Sequence, residues 1–321
     1  MRSNAVEANR RCGQRPPNAH GTDPPAPGMM RPCPPSTMLR WGGLLGELVY
    51  WLDIPHRRIV TRNLRFAYPA WPESQLGAVA RRMFRNFGMS IMEILALLRM
   101  SRGDVLARCS LTGEEHLLQA LSKGRGVVLV SGHLGNWEVG LQYLACRFNT
   151  PILLVVTPFW PRSVDAWATR LRTRFGNRVI DRKKAFPAMR QTIRDGGIVA
   201  LMVDISRLKQ SVEVAFFGHR ARASHAAALL ATRGGAIVMP VFSHRTAEQR
   251  IAIELGPPLI FPRSRDLKED LRRNTQVLTD RVEAAVRQHP DQYFWVQKRW
   301  KDYHPYLYPG YRPRTGRLEE Q

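Results

Sequence analysis

His133 and Glu138 stand five positions apart in the stretch "SGHLGNWEVG" at 131–140, directly after the apolar run "GVVLV" at 126–130. A histidine and a carboxylate separated by small residues are equipped for general-base chemistry. One ring nitrogen takes a proton from an attacking hydroxyl. The other needs an acceptor that holds the ring and fixes its tautomer. His133 is the candidate base. Glu138, in the first turn of an expected helix, is the candidate orienting carboxylate. Gly132 and Gly135 leave room for a substrate to approach the backbone. The same spacing also fits a satisfied turn histidine beside a glutamate that complements the helix dipole. Ser131, two residues before His133, offers a third arrangement, a serine nucleophile with its base.

The reaction sets how much such a pair must do. A positioned base contributes on the order of 10²–10⁴ in rate. Amide or phosphate-ester cleavage needs more assembly than that. A thioester is already activated, so transfer of its acyl group to an alcohol needs only a base and a stabilised oxyanion. The patterns HExxH, GxSxG, GxGxxG and the phosphate-binding loop are absent. Cys12, Cys33, Cys109 and Cys146 show neither CxxC pairing nor metal-ligand spacing. The expectation is an enzyme without metal or cofactor in a reducing, cytosol-facing compartment.

The elements that must position these residues follow from pattern. From Gly126 onward, apolar runs alternate with helical periods. Strands are expected at "GVVLVSG", "PILLVVT", "IVALMVD", "AIVMPVFSH" and "RIAIELG". Helices are expected at "NWEVGLQYLACRF", "VDAWATRLRTRFG", "AFPAMRQTIRDGG", "SHAAALLATRGG" and the long "KEDLRRNTQVLTDRVEAAVRQHP". Strands that are apolar throughout, separated by helices, imply an α/β fold: a mixed, largely parallel sheet covered on both faces. His133 then lies at the C-terminal strand edge, where ligands gather in such sheets.

The N-terminal third reads differently. Residues 1–37 are Pro-rich, aperiodic and expected to be disordered, with Met38 a second candidate start. Residues 38–104 form an expected helical region. "MLRWGGLLGELVYWL" at 38–52 has ten apolar residues of 15 but is interrupted by Arg40 and Glu47. It is shorter than the ~20 residues a spanning helix needs. Trp41, Tyr50 and Trp51 suit a membrane interface, and Arg57, Arg58, Arg62 and Arg65 suit anionic head groups. An ordinary buried helix followed by a solvated basic one fits the same residues. In "PESQLGAVARRMFRNFGMSIMEILALLRM", Met83, Phe84, Phe87, Ile91, Ile94, Leu95 and Leu98 recur at helical spacing and are expected core contacts. The α/β domain is expected over 105–308, with a flexible C-terminus at 309–321.

The 321-residue chain carries a formal charge of +23. Residues 1–37 hold five basic and two acidic residues, so nearly all of the excess lies in the body. A basic body favours an anionic partner: nucleic acid, an anionic membrane or an acidic protein. No recognised nucleic-acid module is present, so a nucleic-acid partner is not expected.

"HLGNWE" and five further ordered blocks carry a family resemblance. "HLGNWE" is similar to the H-x4-(D/E) motif of the lysophospholipid acyltransferase superfamily. The stretch from about Leu39 to Lys301 resembles one branch, the late acyltransferases of lipid A biosynthesis (lauroyl and myristoyl transferases). "RNLRFAYP", "RFGNRVIDRK", "VAFFGHRARAS" and "HPDQYFWVQKRWK" resemble further signatures of that branch, and the "VD" ending at Asp204 resembles its acidic strand end. The resemblance implies an O-acyltransferase with His133 as base and Glu138 as its orienter. It implies an acyl carrier protein thioester as donor, a glycolipid hydroxyl as acceptor, and work at the cytoplasmic face of the bacterial inner membrane. Substrate contacts are then expected at Asn136, Arg174, Asp204, Phe217, Gly218 and Arg222. Arg174 would take a phosphate or oxyanion and Asp204 a sugar hydroxyl. Phe217 and Gly218, with Phe216, would shape an acyl groove running from His133 toward the N-terminal helix, though aromatic core packing fits equally. Two positions depart from the branch: Ile205 where a polar residue is common, and Gln297 where histidine is common. Both bear on the acceptor, for which a lysophospholipid, an ornithine-type lipid or a phosphoinositide mannoside are alternatives. A non-catalytic basic binding protein is the alternative from another class.

Overall fold

Pro35–Leu52 opens the described chain as helix α1, three residues before the expected boundary. The computed structural model describes residues 35–206 and 210–311. The expectations for the tail before residue 35 and for the C-terminus after 311 lie outside these residues. Helices α2 (Ile54–Ala67) and α3 (Glu73–Ala96) complete the N-terminal part. Helices α1 and α3 approach until their backbones touch. A Cβ at Gly46 would lie 2.1 Å from the Phe84 carbonyl oxygen, and one at Gly88 2.2 Å from that of Gly42. Met83 and Phe84 are buried as the helical period predicts. Ile91 and Leu95 are not core residues: they are 40% and 41% exposed. The α/β body covers only one side of α3, so the period marks an apolar stripe wider than the face that is buried. On α1, Trp41, Leu44, Leu45, Leu48, Val49, Trp51 and Leu52 are also exposed. Among the described residues, no helix is long and apolar enough to cross a membrane.

Helix α4 (Arg102–Arg108) is closed at its start by a capping box of Ser101 and Asp104. There follow β1 (Cys109–Thr112), α5 (Glu114–Ser122), β2 (Val127–Ser131), α6 (Trp137–Phe148), β3 (Ile152–Val156), α7 (Arg162–Thr173), β4 (Arg178–Asp181), α8 (Ala185–Arg194) and β5 (Ile198–Met202). A hairpin of β6 (Ser211–Phe216) and β7 (His219–Ser224) precedes α9 (Ala226–Gly234), β8 (Ile237–Arg245), β9 (Ile251–Leu255) and α10 (Leu267–Gln288). Seven strands form one sheet in the order β1-β9-β8-β2-β5-β3-β4. Every neighbouring pair is parallel except β8 with β9, so the fold is mixed α/β with a largely parallel central sheet.

All five expected strands form. The short strands β1 and β4 and the β6–β7 hairpin do not stand out in the pattern. "RVID" in β4 has two apolar residues on an exposed edge, and four-residue strands carry little periodic signal. In β2, Val128 and Val130 join the cluster under α8, α9 and α10, whereas Val127 and Leu129 join the one under α5, α6 and α7. That alternation puts β2 between two apolar layers and brings its C-terminal end to the middle of the sheet edge.

Candidate active site

The turn after β2 is held by its backbone. The Gly135 N–H donates to the Gln292 carbonyl at 3.0 Å and the Phe294 N–H to the His133 carbonyl at 2.9 Å. Leu134 and Tyr293 form an isolated antiparallel bridge. Gly135 has φ +58°, and a Cβ there would lie 2.0 Å from the Ser243 carbonyl oxygen, so only glycine fits. The C-terminal segment 289–297 thus forms one wall of the turn.

The carboxylate that holds the His133 ring is Asp204. Its Oδ1 lies 2.8 Å from His133 Nδ1, and its Oδ2 accepts the His133 backbone N–H at 2.8 Å. The pairing follows from register. Strands β2 and β5 are parallel neighbours with Ser131 opposite Met202, so residues two beyond each strand end meet side by side. Asp204 is 1% exposed and the His133 side chain 17% exposed. Gln297 Nε2 donates to the same Oδ2 at 3.0 Å. Burial pushes the Asp204 carboxyl up, but the charge of His133, its two hydrogen bonds and the Gln297 amide outweigh it. The net shift is well below the ordinary aspartate value. An ionised Asp204 accepts from Nδ1–H, which leaves Nε2 as the basic nitrogen.

This arrangement corrects the reading of Glu138. Asp204 occupies the position on Nδ1 that was assigned to it. Arg172 of α7 donates from Nε to both Glu138 oxygens at 3.1 Å and again from a terminal nitrogen. A first-turn glutamate on α6 faces the adjacent α7, and the fork of an arginine fits its carboxylate bidentately. Burial lowers the Arg172 pKa, but Glu138 reverses this and the net shift is upward.

The other candidates lie in different parts of the fold. Asp204 is no sugar ligand, because it is buried and both its oxygens are occupied by His133 and Gln297. Asn136 is no substrate contact either. It is buried, caps α6 by accepting the Val139 N–H at 3.3 Å, and donates to Glu93 at 2.9 Å. Arg174 gives a hydrogen bond to the Met100 carbonyl at 2.9 Å, so it clasps the chain before α4; the arginine that reaches α6 is Arg172. Phe217 and Gly218 are the two positive-φ residues of the β6–β7 turn, and the Phe217 ring is buried against Tyr68 and Trp295. Core packing is therefore the role of Phe217. Arg222, on β7, lies over the Tyr303 ring, and its carbonyl accepts from Arg299. Ser131 is buried and donates to the Gly132 carbonyl at 3.2 Å, which gives no serine–histidine pair.

Gln297, one of the two departures, thus touches the histidine–aspartate pair directly. Both residues stand two positions past the ends of their strands, a correspondence that becomes visible only once β2 and β5 are known to be parallel neighbours. Among the described residues, no group of three or more His, Cys, Asp and Glu side chains could hold a metal ion.

A small cavity behind the site is lined by Met83, Phe87, Trp137, Phe294 and others. Trp137 and Phe294 also flank the His133 ring, with centroids at 4.8 and 6.5 Å. The cavity shares Asn86, Arg245 and Gln292 with a cleft of about 1520 Å³ between α1, α3 and the β8–β9 turn. His133 lines neither space. Neither of these two spaces is the expected apolar groove running from His133.

A histidine held by a buried carboxylate at the edge of a largely parallel sheet suits direct acyl transfer to a hydroxyl. A family model described as bacterial lipid A biosynthesis acyltransferase matches residues 28–302. The chain belongs to this family, whose members act on lipid A or related lipids. It is 25% identical over 259 residues to a lipid A biosynthesis acyltransferase of Haemophilus influenzae, covering 79% of each chain. It is 24% identical over 276 residues to a lipid A biosynthesis lauroyltransferase of Escherichia coli K12, covering 84% of this chain and 86% of the relative. It is also 25% identical over 243 residues to a phosphatidylinositol mannoside acyltransferase of Mycolicibacterium smegmatis, covering 74% and 78%.

Proposed function

We propose that this enzyme moves a fatty acyl group from an acyl carrier protein thioester to a hydroxyl of a lipid A precursor or similar glycolipid, at the cytoplasmic face of the inner membrane. The observation that carries the mechanism is the two-point contact of Asp204 with the ring and the backbone N–H of His133. Nε2 of His133 takes the proton of the acceptor hydroxyl as its oxygen attacks the thioester carbonyl. The imidazolium so formed faces the ionised Asp204, which stabilises it. Collapse of the tetrahedral intermediate expels the thiolate, and the imidazolium returns the proton to sulfur. No acyl-enzyme forms.

Two surface features support the setting. The exposed apolar face of α1, from Trp41 to Leu52, is larger than the scattered apolar residues of an ordinary soluble surface. Arg57, Arg58, Arg62 and Arg65 follow it on α2, a composition suited to an interfacial helix on anionic lipid. The basic body favours an acidic carrier at long range.

The mannoside acyltransferase relative supports a second acceptor, a mannosylated phosphoinositide. The test is lipid mass spectrometry of a deletion strain together with transfer assays on purified protein. Lipid A lacking one secondary acyl chain is the expected result. Unchanged lipid A with an altered phosphoinositide or other lipid selects the second reading. Wild-type protein that transfers from no acyl thioester ends both.

A further inference from the structure

Behind the catalytic turn lies a second buried charge cluster that the reaction does not use. Glu93 of α3 is 1% exposed. It accepts two hydrogen bonds from Arg245 of β8 at 2.9 and 2.7 Å, one from Arg108 at 3.3 Å and one from Asn136 Nδ2 at 2.9 Å. Asn136 Nδ2 also reaches the Ser90 carbonyl of α3 at 3.3 Å. Arg245 ties the cluster to the turn by a second path. Its backbone N–H donates to Gln292 Oε1 at 2.6 Å and its carbonyl accepts from Gln292 Nε2 at 2.9 Å, while the Gln292 carbonyl holds Gly135. Residues 135 and 136, immediately after His133–Leu134, are therefore fastened to one buried carboxylate from both sides.

A buried ion pair gives little net stability over a well-packed apolar replacement. Its advantage here is geometric. Four hydrogen bonds converge on one carboxylate, and they fix α3, β8 and the start of α6 against one another. Helix α3 also carries α1 and its apolar face, so the catalytic turn takes its register from the helices expected to meet the lipid.

We propose that Glu93 and Asn136 are positioning residues, acting together with Arg245 to set the catalytic turn so that the His133 ring stays on Asp204. This rests on the reading of His133 as the base. Asn136→Ser is the decisive variant, because a serine hydroxyl still caps α6 but has no amide to give Glu93. Misplacement of about 1 Å costs on the order of 10²-fold. The expected result is a roughly tenfold to hundredfold fall in kcat, with KM for both substrates within about twofold and a melting temperature close to that of the wild type. The Nδ1–H proton resonance of His133 should broaden or move. Glu93→Gln should act in the same direction, and the double variant should lose no more than the worse single one. The inference is overturned if Asn136→Ser keeps kcat within about twofold, or if its loss appears in KM or melting temperature with the Nδ1–H signal unmoved. Should Glu93→Gln not fold, Asn136→Ser decides alone. His133→Ala separates the two claims: if it keeps full activity, the base assignment fails irrespective of Asn136.

Discussion

Two carboxylates flank the turn that carries His133 and have opposite relations to the chain. Glu138 is five residues from His133 and belongs to the helix that the turn begins. Asp204 is 71 residues away and belongs to the neighbouring strand edge. The near one clasps Arg172 between two helices, and the distant one holds the imidazole. The difference lies in surroundings. Asp204 is sealed against water and is held by the His133 ring, the His133 backbone N–H and the neutral Gln297 amide, so its charge remains to polarise that ring. Glu138 already has a permanent cation with a planar fork, and an arginine does not give up its proton. Closeness in sequence creates opportunity for a contact, but the stronger and more rigid partner decides which contact forms.

Asp204→Asn tests this comparison most severely. An amide cannot stabilise the imidazolium or fix the tautomer, so kcat should fall by about 10²–10⁴ while the protein still folds and binds lipid. Steady-state kinetics beside a vesicle-binding measurement check this. If Asp204→Asn is nearly as active as wild type, the distant carboxylate is only structural. Glu138→Gln should cost less than tenfold in kcat but lower stability by on the order of 3 kcal/mol or less, because it leaves the Arg172 charge without its counterion in a half-sealed site. Thermal unfolding reads that loss. A kcat loss equal to that of Asp204→Asn would erase the distinction between the two. Arg172→Lys keeps the charge and removes the fork, so it should destabilise less than Glu138→Gln and leave kcat within a few-fold in the same assays.

The smallest effect is in acid. The Asp204 pKa is lowered on folding, so its contribution to stability is fully present above the unfolded value near 3.8 and is lost as pH falls through the lower folded value. The difference in melting temperature between wild type and Asp204→Asn should therefore hold steady above about pH 4 and shrink only below it. Melting curves from pH 3 to 7 measure it. A difference that shrinks between pH 5 and 7 would mean that another group controls the pair.

Much of this was legible in the residues. "GVVLV", "ILLVV" and "IVALM" are apolar at every position, which places them inside a sheet covered on both faces. Gly132 and Gly135 marked the turn, and His133 the candidate base on it. The α3 stripe misled at Ile91 and Leu95, because helical periodicity records an apolar face and not what covers it. Asn136 and Arg174 misled for a related reason. A polar residue near a catalytic turn has the same letter whether it faces substrate or binds a buried carboxylate such as Glu93.

The chain by itself determined the five expected strands, the helices between them and that a histidine stands at the edge of the sheet, because burial period and turn chemistry are local and depend on neighbours a few positions apart. Only the tertiary structure decided the partner of that histidine. The choice depends on which strand lies beside β2 and in what register, and on Arg172 claiming Glu138 first. Both are set by packing between segments tens of residues apart, which no local pattern encodes.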